Sequence, residues 1–447
     1  MVTEIAKEQG AYSAPFRRLQ EKTGTASSSW VARLREGAFA SFERLGFPTV
    51  RQEEWKYTNV TPIAKANFEP AVEGTQALDA AALRPFVYEE AGASRLVFVN
   101  GFYRADLSST EALPEGVVAL DLAAALGEEQ YSETLRGQLA RGADFNENAF
   151  TALNTAFIES GAFILVPEGA QVGAPLHLLF LSDGRAISSP RVLIVAGRGS
   201  TATVIESYAG AREGEAYFTN AVVEVSLAEG ARLNHYKVQR ESTEAFHVAT
   251  TRAALSRASA FNLTTITLGS RLSRHDVQVT LDEEGAECWV DGLYLVGGSQ
   301  HTDTHSVIDH RRPHCVSRQL YKGILDGHSR AVFNGKVFVR EGAQQTDAQQ
   351  TNRNLLLSNE AHVDTKPQLE IFADDVKCAH GATVGQLGEE ELFYLTSRGL
   401  NAELARNLLT YGFAEEVIEK IKIESIRAEL DEAVLNRLHS NLEARSL

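Results

Sequence analysis

The tripeptide Glu-Gly-Ala returns four times along one stretch of this chain, at Glu168, Glu229, Glu284 and Glu341, with intervals of 61, 55 and 57 residues. Each copy follows a β-forming run, and such runs recur throughout the stretch: Phe163–Val166, Leu176–Leu181, Val192–Val195, Val222–Leu227, Val277–Leu281, Leu293–Val296 and Val337–Val339. Between the copies sit similar small-residue turns at Gly199-Ser200, Ala258-Ser259 and Gly327-His328-Ser329. A turn about every 30 residues, each behind a β run, is what a coiled β solenoid produces. A sandwich of hairpins is the alternative, but its turns would come about every 8–12 residues. No helical stripe interrupts the pattern from Ala162 to about Gly385. Within it, the carboxamides Gln344, Gln345, Gln349, Gln350, Asn352 and Asn354 can either ladder between coils or form a polar loop.

The flanks read differently. Ser29 can cap a helix with Val31, Leu34, Ala38, Phe42 and Leu45 on one side, stopped by Gly46 and Pro48. Leu96–Val99 before Asn100-Gly101 predicts a strand entering a tight hairpin. A helix carrying Phe150, Leu153 and Phe157 then ends at Gly161. After Leu387 helix returns: Glu389–Arg398, a second helix capped by Asn401, and a long amphipathic one. The long helix aligns Val417, Ile421, Ile426, Leu430, Val434, Leu438 and Leu442, a stripe that must cover the solenoid end or a partner helix. The division expected is a helical domain with a small sheet element over 1–161, a β-helix core over 162–387 and a helical domain over 388–447.

A formal net charge of −16 argues against nucleic acid or an anionic membrane as partner. The polar start, with Glu4, Lys7 and Glu8, has no apolar signal core, and no run is long enough for a spanning helix. Three scattered cysteines, Cys288, Cys315 and Cys378, form no disulfide framework and no CxxC pair. A reduced cytosol is the expected compartment.

Two groupings could carry chemistry. His301, Asp303 and His305 share one strand face, with Asp309-His310 and His314-Cys315 close behind; imidazole and carboxylate suit zinc or iron, although same-face neighbours on a strand diverge. Cys378 and His380 also share a face, and thiolate with imidazole suits iron or a cluster, but two ligands need others from a second chain. A buried cysteine beside a hydrogen-bonded histidine is the plainer reading. There is no GxxxxGK[ST] phosphate loop. Glu206, Asp291, Asp303 and Arg330 keep open a β-helix carbohydrate lyase or hydrolase.

The segment Asp364-Thr365-Lys366-Pro367-Gln368-Leu369-Glu370-Ile371, continuing through Asp374-Asp375-Val376-Lys377-Cys378-Ala379-His380-Gly381-Ala382-Thr383-Val384-Gly385-Gln386-Leu387, resembles the SufB/SufD family of iron–sulfur cluster assembly. So do Ala152-Leu153-Asn154, Ser317–Gly323 and Thr346–Asn352. The Cys-x-His-Gly-Ala-Thr-Val-Gly form and Arg51-Gln52-Glu53-Glu54-Trp55-Lys56-Tyr57-Thr58 resemble its SufD side. The resemblance implies a right-handed parallel β-helix flanked by helical domains, and a non-catalytic scaffold complexed with SufB and two copies of the ATPase SufC. It implies that His380 and Cys378 lie by a transient iron or nascent cluster at the SufB interface, with no cofactor held stably by this chain alone, and that the C-terminal helices receive the ATPase. A solenoid's last coil also leaves unpaired backbone groups, here near Leu369–Ile371 and Val376–His380. The isolated chain is therefore expected to form a homodimer through that edge, which SufB would compete for.

Overall fold

A computed structural model describes residues 12–23, 29–66, 68–71 and 78–443. The polar start lies outside them. From Gly161 to Gly385 the chain winds as a parallel β-solenoid of two facing sheets. Each coil lays one strand in the first sheet, turns a tight corner, lays the next strand in the second sheet, and returns. Strands Phe246–Leu255, Leu272–Leu281, His301–His310, Arg330–Val339 and His362–Ile371 stack in the first sheet. Strands Arg232–Arg240, Ala260–Thr267, Glu287–Val296, Val316–Leu325, Thr346–Leu356 and Val376–Gly385 stack in the second. Alternation sends every second side chain into the lumen, where Leu255, Leu281, Leu263, Val290 and Val337 belong to one buried core.

The corner between the first and second sheets explains the tripeptide repeat. Successive coils place Gly169, Gly199, Gly230, Ala258, Gly285, His314 and Gln345 there, all with φ between 53° and 73°. The N–H of each donates to a carbonyl of the next coil's corner, as from Gly199 to Glu229 (2.9 Å) and from Ala258 to Glu284 (3.1 Å). Glu-Gly-Ala therefore marks every second coil. Two parts of the repeat fall elsewhere: Gly327 turns at the opposite corner, where His328 N–H bonds to the Gly298 carbonyl, and Gln345 takes the left-handed position in place of Gly342.

The sheet element in the N-terminal segment extends both sheets. Arg95–Val99 pairs parallel with Leu176–Ser182 and, through the expected hairpin, antiparallel with Phe102–Tyr103. Val118–Asp121 closes the first sheet antiparallel to Gly161–Val166. Both sheets thus begin with an antiparallel strand, and both end with an open parallel one.

The helices cover the outer faces. Helix Ser29–Leu45 and helix Ala149–Ala156, where Asn148 caps the first turn, bury Phe39, Phe42, Phe150 and Leu153 against Phe218, Phe246 and Leu272 of the first sheet. At the other end of the chain, helices Ala402–Ile418 and Glu424–Glu443 lie on the second sheet. Val417, Ile421, Ile426, Leu430 and Val434 pack on Ile205, Val238, Ile266, Leu293 and Leu320. The expected long helix is two: Val417 lies in the last turn of the first, Ile421 in the link, and Ile426, Leu430 and Val434 in the second. The stripe therefore covers the side of the solenoid, where parallel strands present a long apolar row, with the two helices packed on each other. Leu438 and Leu442 lie outside the described side chains. No helix among the described residues is long and apolar enough to cross a membrane.

An added Cβ at Gly230 would meet only ordinary contacts, so its cost is conformational. Gly230→Ala should lower unfolding free energy by about 1–2 kcal/mol, the left-handed penalty of an L residue. Ala258→Gly should raise it by a smaller amount, about 0.5 kcal/mol, because glycine gives back chain entropy. Urea denaturation of the two variants reads both signs.

Candidate functional site

Strand Val376–Gly385 hydrogen-bonds to Thr346–Leu356 on one side and to nothing among the described residues on the other. Cys378 is in register with Ala348 and His380 with Gln350, and both of those partners are buried in the lumen. Cys378 and His380 therefore share the lumenal face at the solenoid's last coil. The Cys378 thiol is half-buried against the core, and burial raises its pKa. His380 is exposed. The facing strand His362–Ile371 carries Pro367, which cannot donate a ladder hydrogen bond, so the two open edges are chemically unequal.

The His301 cluster engages a docked segment of the chain. On the outer face of the first sheet, Thr58 Oγ1 donates to Asp303 (2.5 Å) and lies 2.9 Å from His301 Nε2. Arg274 Nη1 donates to Asp303 (2.9 Å) and to the Glu54 carbonyl (2.6 Å), and its guanidinium lies 3.7 Å from the Trp55 ring centroid. His305 bridges Asp303 (3.1 Å) and Glu54 (3.2 Å). The segment 51–58 is thus clamped by the three strand residues and Arg274. Burial alone would lift the Asp303 carboxyl, yet Arg274 and His305 hold it well below the carboxylate range. Burial alone would lower His305, yet Asp303 and Glu54 raise it to about 9.

The rest of the cluster scatters. Asp309 points outward to Arg311 (2.9 Å) and Arg340 (2.8 Å). His310 points into the lumen, 2.9 Å from Ser317 Oγ, and burial lowers it to about 4. His314 is a corner residue, and Cys315 is buried with its Sγ 3.3 Å from the Glu283 carbonyl. No three potential ligands gather round one point among the described residues. The lyase constellation also disperses: Glu206 is sealed in the lumen against His235 (2.7 Å), Asp291 pairs with Lys420 (2.9 Å) under the C-terminal helices, and Asp303 sits on the other sheet. Alternation along the strands sent them to opposite faces.

The carboxamide ladder is real in part. Gln350 donates to Gln319 one coil earlier (2.7 Å), a true rung, whereas Asn354 donates to Asn352 of its own strand (2.7 Å), both inside the lumen. Of a lumenal cluster made by Glu206, His235, Lys237, Glu241, His247 and His275, all buried, sequence reading singled out Glu206 alone, and for a different role. Lys237 lies 2.8 Å from His247, which lies 2.8 Å from Glu241. Burial lowers Lys237 and His247 and pushes His275 well down. The available signal was charge at every second position of an otherwise apolar run.

A β-solenoid with a cysteine and a histidine on a terminal strand open along one edge is the class of protein that fold and site define. Comparison with known proteins narrows it. The description "SUF system FeS cluster assembly, SufBD core domain" matches residues 179–413, and "SufBD protein N-terminal region" matches residues 6–178. An iron–sulfur cluster assembly SufBD family protein of Synechocystis is 40% identical over 445 residues, 97% of this chain and 95% of that one. Iron–sulfur cluster assembly protein SufD of Escherichia coli is 34% identical over 405 residues, 88% and 90% of the two chains, and the chloroplastic protein ABCI7 of Arabidopsis thaliana is 31% identical over 442 residues, 94% and 90%. The chain belongs to the SufBD family of the SUF iron–sulfur cluster assembly system.

The clamp has a pH signature. His305 is raised in the folded state above its ordinary 6.5, so its contribution is full below about pH 6.5 and is lost as pH rises through about 9. Unfolding free energy should fall by on the order of 2–3 kcal/mol across that window. His305→Gln should flatten the fall, measured by urea unfolding at stepped pH.

Proposed function

We propose that this chain is a non-catalytic scaffold subunit that pairs with SufB through the end of its β-helix and docks the ATPase SufC on its C-terminal helices. The observation that carries this reading is the unequal treatment of the two solenoid ends. Antiparallel strands close the start, whereas Val376–Gly385 offers free backbone donors and acceptors beside Cys378 and His380. An open strand edge is satisfied by strand addition from another chain. A second copy of this chain fills that role in the isolated protein, giving a homodimer that SufB displaces.

At that interface His380 and Cys378 contact iron or a nascent cluster, with the remaining ligands coming from SufB. The metal is cargo, not a resident cofactor. The raised thiol pKa fits a cysteine that ionises only when metal or a cation approaches. All of this takes place in the cytoplasm. For the ATPase, the relevant surface is what the long helix leaves uncovered: Phe393 (74% exposed), Tyr394, Leu404 and Leu408. Apolar side chains grouped on two helices are a docking surface.

His380→Ala should fold as the parent, because the ring is exposed, and should cut cluster yield at least tenfold in the complex reconstituted with SufB and SufC, followed by the cluster's visible absorbance. Parental yield removes His380 from the site. Separately, Phe393→Asp combined with Leu404→Asp should weaken SufC binding at least tenfold by calorimetry, with the circular dichroism spectrum unchanged.

A further inference from the structure

A cleft of about 310 Å³ opens on the outer face of the first sheet, away from the terminal strand and from the 51–58 clamp. Ser226, Ala254 and Thr280, in register on three successive strands, line it with small side chains. Its wall is the loop from Gln138 to Gly142, which Glu224 fixes in place. That carboxylate accepts the N–H groups of Ala140 (2.9 Å), Gly142 (3.0 Å) and Ala143 (3.1 Å), and Arg191 Nε (3.1 Å). Ala140 is held at φ 59°, a left-handed conformation costly for alanine, so the loop is strained into this shape. Arg141 is thereby pinned, exposed, at the rim.

The charges in the cleft do not cancel. Both lining carboxylates are engaged, Glu224 as described and Asp282 with Arg311 (2.9 Å). Arg252 is different. Among the described residues its Nε is buried without a hydrogen-bond partner, and no carboxylate lies within ion-pair distance. Asp276, Asp144, Glu147 and Glu224 act on it only through space; Asp276 is hydrogen-bonded to Arg274 through Oδ1, with its Oδ2 buried and unpartnered among the described residues, and Asp144 accepts from Asn146. A buried cationic donor left unmade costs about 1–3 kcal/mol or more. Arg141 likewise has no ion pair among the described residues. Two unpaired guanidinium groups on one cleft are the donor set that grips an oxyanion by paired hydrogen bonds.

We infer that this cleft binds a small molecule through a phosphate or carboxylate group, held between Arg252 and Arg141 over Ser226, Ala254 and Thr280. The site stands independently of cluster assembly.

The test uses the full-length protein at low ionic strength, titrated calorimetrically with inorganic phosphate and, separately, with citrate. Saturable binding of at least one probe is expected. Saturation by phosphate assigns a phosphate-bearing ligand, and saturation by citrate a carboxylate. Arg141→Gln, a rim substitution with no packing cost, should weaken binding about 10- to 100-fold, the worth of a charge-assisted pair. Arg198→Gln, an exposed arginine paired with Glu168 elsewhere, should leave it unchanged. No saturable binding of either probe, or an affinity that Arg141→Gln leaves intact, overturns the site.

Discussion

Everything in this protein hangs on one backbone event, the left-handed residue that closes each coil between the two sheets. A strand leaving the first sheet must reverse within a few residues and start the next strand in the correct register. Only a residue at positive φ turns the chain that sharply while aiming its N–H at the neighbouring coil. Those N–H groups, from Gly169 through Gln345, form a hydrogen-bonded column along the corner. The column fixes the rise between coils, and the rise fixes which side chains stack in the lumen. Register is strict for the same reason. A slip of one residue at a corner would send Leu255 or Val290 outward and their charged neighbours inward.

With the lumen filled, the outer faces decide the rest. Two parallel sheets cannot leave both faces wet: the first is covered by the N-terminal helices, and the second by the C-terminal helices together with Leu83, Tyr88, Ala91 and Leu107 of the N-terminal part. The N-terminal helices cover the first sheet, locked by the Arg274–Asp303–His305 clamp on Glu54, Trp55 and Thr58. The C-terminal helices cover the second, tied by Lys420 to Asp291 and by Lys322 to the Phe413 carbonyl. The aromatic and leucine side chains that stay exposed on helices Glu389–Thr396 and Ala402–Ile418 are those left over after this covering.

The solenoid was legible because three of its corner residues kept the Glu-Gly-Ala signature, and glycine at a left-handed corner is visible in a sequence. The intervening corners were harder. Gly199 and Ala258 read as small-residue turns, but His314 occupies the same conformation and reads as a metal ligand. The His301–Asp303–His305 spacing was read correctly as one strand face. What the face meets was hidden, because Thr58 and Glu54 lie more than 240 residues away in sequence. The C-terminal apolar stripe was legible, but the break between Ile418 and Glu424 and the face it covers were not, since periodicity says which side of a helix is apolar and never what covers it. The charged cluster in the lumen escaped notice because Lys237 and Glu241 look like surface residues until the coil phase is known, and Glu206 was read with the wrong partners. Cys378 and His380 could be named from the sequence as a same-face pair with ligand chemistry, but two residues on a strand carry too little pattern to say more, and only the resemblance suggested where they would act.

The two ends of the solenoid show how a fold built by repetition acquires direction. At the start, Phe102–Tyr103 and Val118–Asp121 run against the parallel strands and terminate both sheets. At the finish there is no such reversal among the described residues. His362–Ile371 is interrupted by Pro367, which weakens it as a template, while Val376–Gly385 keeps every backbone donor and places its cysteine and histidine on the lumenal face. A chain adding to that strand would continue the second sheet and bring its own lumenal residues beside Cys378 and His380. On the proposed pairing, an added strand would supply the ligands that Cys378 and His380 lack, because in a parallel solenoid the residues that stack in register across an interface are the ones that share a face. Under the proposed scaffold role, pairing and metal contact would be one structural event.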